Sequence, residues 1–247
     1  MKNANMAAKA LGMTFILSIN LTFAEIAPVP KTSVGNDIGS SQFADGPGNI
    51  AVTLGDCKFS INLAKDDHIR FNDPDMIIYR SATRFSDNRM PYLSQTEMAA
   101  GYDWSFKKKG RLDDRWIGIM CESTSNFSWG IKNIENVTPE LTQIIATNSY
   151  RCPAKFTNNA WNPISMGKGV KFRALDGKGW SGVVVAYLHR NNQTKLERIN
   201  ICIVQGSNVL IGASENFNGT LRIPVSFFDE IAELMSSIEF DHSDKER

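Results

Sequence analysis

The chain has 247 residues, 27 of them basic and 26 acidic, for a formal charge of +1 at neutral pH. That balance supplies no broad positive field, which argues against nucleic acid as a partner. The length suits one large domain or two small ones.

Residues 1–24 read as a secretion signal. Lys2 and Lys9 give a positive start, 11–23 form an apolar run, and Thr22-Phe23-Ala24 offers a cleavage point. The run is shorter than the ~20 residues a spanning helix needs. No cysteine stands at the cleavage point to carry a lipid, so no stable membrane anchor is expected. Removing the two lysines takes the formal charge from +1 to −1. The expected location is the periplasm, with secretion from the cell as the alternative.

Residues 25–49 are rich in proline, glycine and serine, and are expected to form a flexible leader. A single domain is expected over 50–240, with a disordered, charged tail at 241–247. Cys57-Lys58-Phe59-Ser60-Ile61-Asn62-Leu63 alternates as a strand does, and Ile69–Phe71 and Met76–Tyr79 are shorter apolar runs. The polar stretch 81–93, carrying Arg84, Arg89 and Tyr92, reads as a long surface loop. Tyr102, Trp104 and Phe106 alternate, a lysine-rich tip follows at 107–111, and 115–121 returns, which predicts a hairpin. Thr138-Pro139-Glu140 is a helix start, with Leu141, Ile144 and Ile145 as the apolar stripe of a helix ending near Asn148. Residues 152–169 look irregular around Trp161. Four consecutive antiparallel strands are expected over 170–213, with turns at Asp176–Gly179, Asn191–Thr194 and Gln205–Asn208. The chain closes on a helix whose apolar positions are Phe227, Phe228, Ile231, Leu234, Met235 and Ile238. The expected class is therefore α+β, an antiparallel sheet with hairpins covered by the C-terminal amphipathic helix and one further helix.

Four cysteines, Cys57, Cys121, Cys152 and Cys202, remain after cleavage. An even number in an exported chain predicts two disulfides, in any of three connectivities. Alternation places Cys57 with Phe59 and Ile61, Cys121 with Ile117 and Ile119, and Cys202 opposite Ile201 and Ile203. A bridge from Cys202 to a core-facing neighbour is therefore the less easy one. The absence of a C-x-x-C spacing disfavours zinc and thioredoxin-type chemistry.

The opening strand Phe59-Ser60-Ile61-Asn62-Leu63 and the closing Ser236-Ser237-Ile238-Glu239-Phe240 resemble the PsbP-like α/β/α sandwich superfamily. That resemblance implies protein binding rather than catalysis. The superfamily includes small bacterial proteins that neutralise or chaperone type VI secretion effectors, so it implies an immunity protein whose partner is a toxin or effector.

Residues that could carry chemistry are few. Asp66, Asp67 and His68 could form a metal or acid–base cluster, which is the alternative reading of an exported hydrolase or metal-dependent enzyme; adjacent carboxylates after a strand are more often a solvated turn. His189 and His242 have no sequence partner. No G-x-S-x-G elbow occurs. Gly167-Lys168-Gly169 and Gly177-Lys178-Gly179 precede strands rather than a helix, unlike a phosphate loop. Sequons at Asn126, Asn136, Asn192 and Asn218 matter only in a glycosylating host. Neither a cofactor nor a metal is expected, and no catalytic set is assembled. The residues expected to grip a partner protein are Arg84, Arg89, Tyr92, Trp129 and Trp161, because Trp, Tyr and Arg dominate interface hot spots.

Overall fold

The computed structural model describes residues 32–72, 76–82, 91–95, 102–106, 110–112, 114–131, 138–158, 160–164, 167–216 and 219–241. The signal segment 1–24, Arg84, Arg89, His242, Asn136, Asn218, the lysines at 107–109 and the side chain of Tyr92 lie outside them.

The chain begins with β1 (Ser33–Gly35), β2 (Phe43–Asp45), β3 (Gly48–Leu54) and β4 (Cys57–Leu63). There follow β5 (Asp67–Asn72), β6 (Met76–Ser81), β7 (Pro91–Gln95), β8 (Tyr102–Phe106), β9 (Gly110–Leu112) and β10 (Trp116–Ser123). A 3₁₀ turn at Thr124–Asn126 precedes α1 (Pro139–Arg151), then β11 (Ala154–Thr157) and β12 (Ala160–Pro163). Next come β13 (Val170–Gly177), β14 (Trp180–His189), β15 (Asn192–Gln205) and β16 (Asn208–Ser214). The last elements are β17 (Gly219–Leu221), β18 (Ile223–Pro224), α2 (Phe227–Ser236) and β19 (Glu239–Phe240).

The described residues are mostly strand, arranged in several sheets with two α-helices. The expected α+β class, one antiparallel sheet covered by helices, is therefore corrected to a β-rich fold. Short strands in segments without apolar alternation account for the difference. Residues 32–49, expected as leader, supply β1, β2 and the start of β3, with Val34 and Ala44 buried. The irregular stretch 152–169 contains the β11–β12 hairpin, and the loop 81–93 runs into β7. A three-residue strand has too few positions to show a period, so its pairing comes from neighbours rather than from its own pattern.

The larger sheet has nine strands, in the order β13-β14-β15-β16-β10-β6-β5-β2 with β18 beside β15. The expected four-strand meander is its first half, and its turns close as the sequence requires. Gly179 and Gly206 adopt φ of 74° and 59°, which side-chain-bearing residues avoid. The smaller sheet runs β1-β3-β4-β19, with β1 parallel to β3. The hairpin expected between 102–106 and 115–121 is replaced by different pairings. β8 pairs with β7, β9 pairs in parallel with β17, and β10 sits between β6 and β16.

One core lies between the inner face of the large sheet, the small sheet and α2. It joins Ile199, Ile201 and Ile203 of β15, Ile117 and Ile119 of β10, and Phe59 and Ile61 of β4. All six apolar positions expected on the last helix are buried there. That helix touches β13, β14 and β4, so it covers one end of the large sheet and reaches the small one. The Trp180 indole N–H donates to the Ile238 carbonyl at 3.1 Å, and Arg173 pairs with Asp229 at 2.6 Å, fixing the helix at both ends. A second cluster lies on the outer face of the large sheet, where Val183, Val185, Cys202, Val209 and Ile211 meet Phe127, Ala154 and Trp161.

The disulfides are Cys57–Cys121 and Cys152–Cys202. The first joins the two sheets across the main core, and the second ties the end of α1 to the outer face of β15. The face assignments made from alternation match this pairing: Cys202 points away from Ile201 and Ile203 and meets a cysteine from a covering segment. Two disulfides fit an exported protein. Among the described residues, no helix is long and apolar enough to cross a membrane.

Candidate functional site: an aromatic cleft on the outer face

The segment after β10 turns sharply. Ser123 caps the 3₁₀ turn by accepting the Ser125 amide N–H at 3.2 Å, and the Gly130 amide returns to the Phe127 carbonyl at 3.0 Å. A Cβ on Gly130 would fall on the Thr124 carbonyl oxygen, so only glycine closes this loop. Phe127 is thereby driven into the second core, while Trp129 stacks on it with ring centroids 5.0 Å apart and stays 46% exposed.

The facing wall is the β11–β12 hairpin. Asn158 at its tip has φ 55°, a conformation asparagine tolerates, and the Asn162 amide donates to Thr157 Oγ1 at 3.1 Å and to the Ala160 carbonyl at 3.1 Å. The hairpin register sets Phe156 directly opposite Trp161, with their rings edge to face at 5.4 Å. Trp161 is buried and its indole N–H donates to Ser181 Oγ of β14 at 3.0 Å; Phe156 is 53% exposed. Cys152, just before β11, is bonded to Cys202 and anchors this hairpin to the sheet.

Between the walls lies a cavity of about 550 Å³ lined by Trp129, Phe156, Trp161, Ser128, Lys155 and Thr157, with Ser181 and Val204 also contributing. Aromatic faces dominate, a few hydroxyls sit among them, and Lys155 supplies the one titratable group of that lining. Such a surface can take an apolar or aromatic anchor.

Of the residues expected to grip a partner, the structure brings Trp129 and Trp161 into one cleft, in different roles: Trp129 is presented and Trp161 supports. Tyr92 is placed only by its backbone, in β7. Sequence reasoning missed Phe156 and Phe127. The alternation Ala154, Phe156 was the available signal, obscured by the prolines and asparagines around it.

Asp66, Asp67 and His68 go to separate partners. Asp66 occupies a left-handed turn position with φ 69°. Asp67 is buried, accepts the Ala64 amide N–H at 2.9 Å and receives the Tyr79 hydroxyl. His68 lies on the opposite strand face, with Nδ1 2.5 Å from Asp45 Oδ1. Among the described residues, no group of three or more His, Cys, Asp or Glu side chains could hold a metal ion. His189 Nδ1 accepts the Asn191 amide N–H at the β14–β15 turn.

No family model and no curated protein matches the chain.

Proposed function

We propose that this is an exported periplasmic protein that acts by binding another protein, with the Trp129–Phe156 cleft as its contact surface. The observation that carries this reading is a pair of half-exposed aromatic side chains lining one cavity, on a scaffold locked by a disulfide. Exposed aromatics cost nothing to desolvate further and lose little entropy on contact, so they are the side chains through which rigid surfaces hold partners. The resemblance in β4 and in the closing segment 236–240 adds a partner class, a secreted antibacterial effector, and with it the role of an immunity protein.

Calorimetry against the product of an effector-like gene encoded beside this one tests the reading. Binding is expected, and Trp129→Ala is expected to weaken it by about 2 kcal/mol or more, the size of a hot-spot truncation. The same substitution is expected to cost less stability than Trp161→Ala, because nearly half of the Trp129 surface is already in solvent. Trp161→Ala behaves differently, destabilising the fold by about 3–5 kcal/mol as a buried indole does. Unchanged affinity in Trp129→Ala would remove the cleft from the interface.

A further inference from the structure

A second cavity, of about 560 Å³, opens where α1 packs near the middle of β15 and the end of β16, and shares no lining residue with the aromatic cleft. Its walls include Tyr150 and Arg151 of α1, Glu197 and Arg198 of β15, and Glu215 and Asn216 just after β16. The helix explains its polarity. Leu141, Ile144 and Ile145 are only half-buried, while the buried α1 side chains are Asn148 and Arg151.

The two arginines are treated differently. Arg151 Nε and Nη2 both donate to Glu215 Oε1, at 3.2 and 2.7 Å. Arg198 stands opposite Tyr187 in the β14–β15 register. Its guanidinium carbon lies 4.0 Å from the Tyr187 ring centroid and 4.0 Å from that of Tyr150. The two rings come from different elements, α1 and β14, so aromatic surface flanks the guanidinium from both. Its N–H groups remain as donors. Among the described residues this guanidinium has no hydrogen-bond acceptor, and its Nε is buried without one. Burial lowers the pKa of Arg198, and the charge of Glu215 opposes that shift. Two residues along the same strand face, Asn200 is fully buried, and among the described residues neither its amide nitrogen nor its oxygen is partnered.

Arg198 lines a walled cavity with no protein acceptor among the described residues, and its planar set of donors suits a planar acceptor. A carboxylate is coplanar with the guanidinium fork, accepts two parallel N–H bonds and carries one negative charge. A phosphate dianion is tetrahedral and doubly charged, and Glu197 and Glu215 on the same walls repel it more strongly. We propose that this cavity binds a small organic carboxylate, held in the plane of Arg198 between Tyr150 and Tyr187. The rings shield the contact from water, which strengthens it.

Calorimetry on the mature chain with acetate, succinate, benzoate and glutamate, alongside benzamide and inorganic phosphate, decides the matter. At least one of the acids is expected to saturate, benzamide is not, and phosphate is expected to bind more weakly than the best acid. Arg198→Lys keeps the charge but loses the fork and is expected to weaken that acid by about tenfold or more. Tyr150→Ala removes one of the two flanking rings and is expected to weaken it as well, with the thermal transition retained; this second variant decides should Arg198→Lys fail to fold. Saturation by none of the acids overturns the proposal. So does benzamide matching benzoate, phosphate binding more tightly than every acid, or full affinity in both variants.

Discussion

Tyr79 shows how one buried side chain ties local chemistry to pH. It is 3% exposed on β6 and its hydroxyl donates to the carboxylate of Asp67, itself 7% exposed. Burial first, and the Asp67 charge second, push its ionisation far above the ordinary tyrosine value. A raised folded-state value means that the stability from keeping this phenol neutral is complete below pH ~10, where the unfolded residue titrates. It is lost as pH rises from there towards the folded value. Tyr79→Phe cannot ionise at this position, so the stability difference between wild type and variant should shrink above pH ~10. At neutral pH the variant should be less stable by about 1.5–3 kcal/mol, the loss of a hydrogen bond to a charged acceptor. Urea unfolding of both proteins from pH ~8 to pH ~11 measures it; a difference that stays constant across that range would show that the phenol does not hold its proton. The same contact explains why Asp67 is not part of a cluster with His68: alternation along β5 sends the two side chains to opposite faces.

At the scale of elements, α1 and α2 illustrate two ways of making a helix. The last helix follows its apolar stripe, all of it buried, and has no side-chain cap hydrogen bond at Ser226. Packing holds it. The first is held more by its start, where Thr138 Oγ1 accepts the Leu141 amide N–H at 3.2 Å and Pro139 and Glu140 occupy the first turn. Glu140 is fully exposed, and hydrogen bonds to its own backbone and to Thr138 lower its pKa. A lowered value contributes stability that is present above the ordinary glutamate range and is lost as pH falls through the folded-state value. Glu140→Gln should therefore remove a contribution at neutral pH and make no difference once the wild-type carboxylate is protonated. Amide exchange across 141–151, compared between the two proteins at neutral and acidic pH, measures this, and equal protection at neutral pH would rule the contribution out.

For the whole molecule, the two disulfides divide the work. Cys57–Cys121 spans the core between the sheets at a sequence separation of 64, while Cys152–Cys202 is separated by 50 and lies beneath the aromatic cleft. Each closes a long loop, and replacing either pair by serine should cost about 2–5 kcal/mol in chemical denaturation. Their functional effects should separate. On the proposed role of the cleft, loss of Cys152–Cys202 frees the β11–β12 hairpin and should weaken binding of the proposed partner beyond any change in folded population, whereas loss of Cys57–Cys121 should affect stability with the binding constant of the folded protein unchanged. Equal effects of the two on affinity would mean that the hairpin is held by its own packing.

Much of this fold was legible where a segment is long enough to carry a period. The strands over 170–213 and their turns, the start of α1, the stripe of α2 and the face on which each cysteine lies all follow from alternation, helical spacing and turn chemistry. The exposed role of Trp129 and the supporting role of Trp161 were not, because a tryptophan in a patternless stretch is equally suited to either. Pairing between distant segments was also hidden: β10 next to β6 and β16, β9 next to β17, and the threading of residues 32–49 into two sheets. Local pattern determines which face a side chain occupies and where a turn falls, since those depend on backbone geometry within a few residues. Which strands become neighbours, and therefore whether Trp129 and Phe156 line one cleft or Tyr150 meets Arg198, depends on burial shared among segments far apart in the chain. Only the packed tertiary structure decides that.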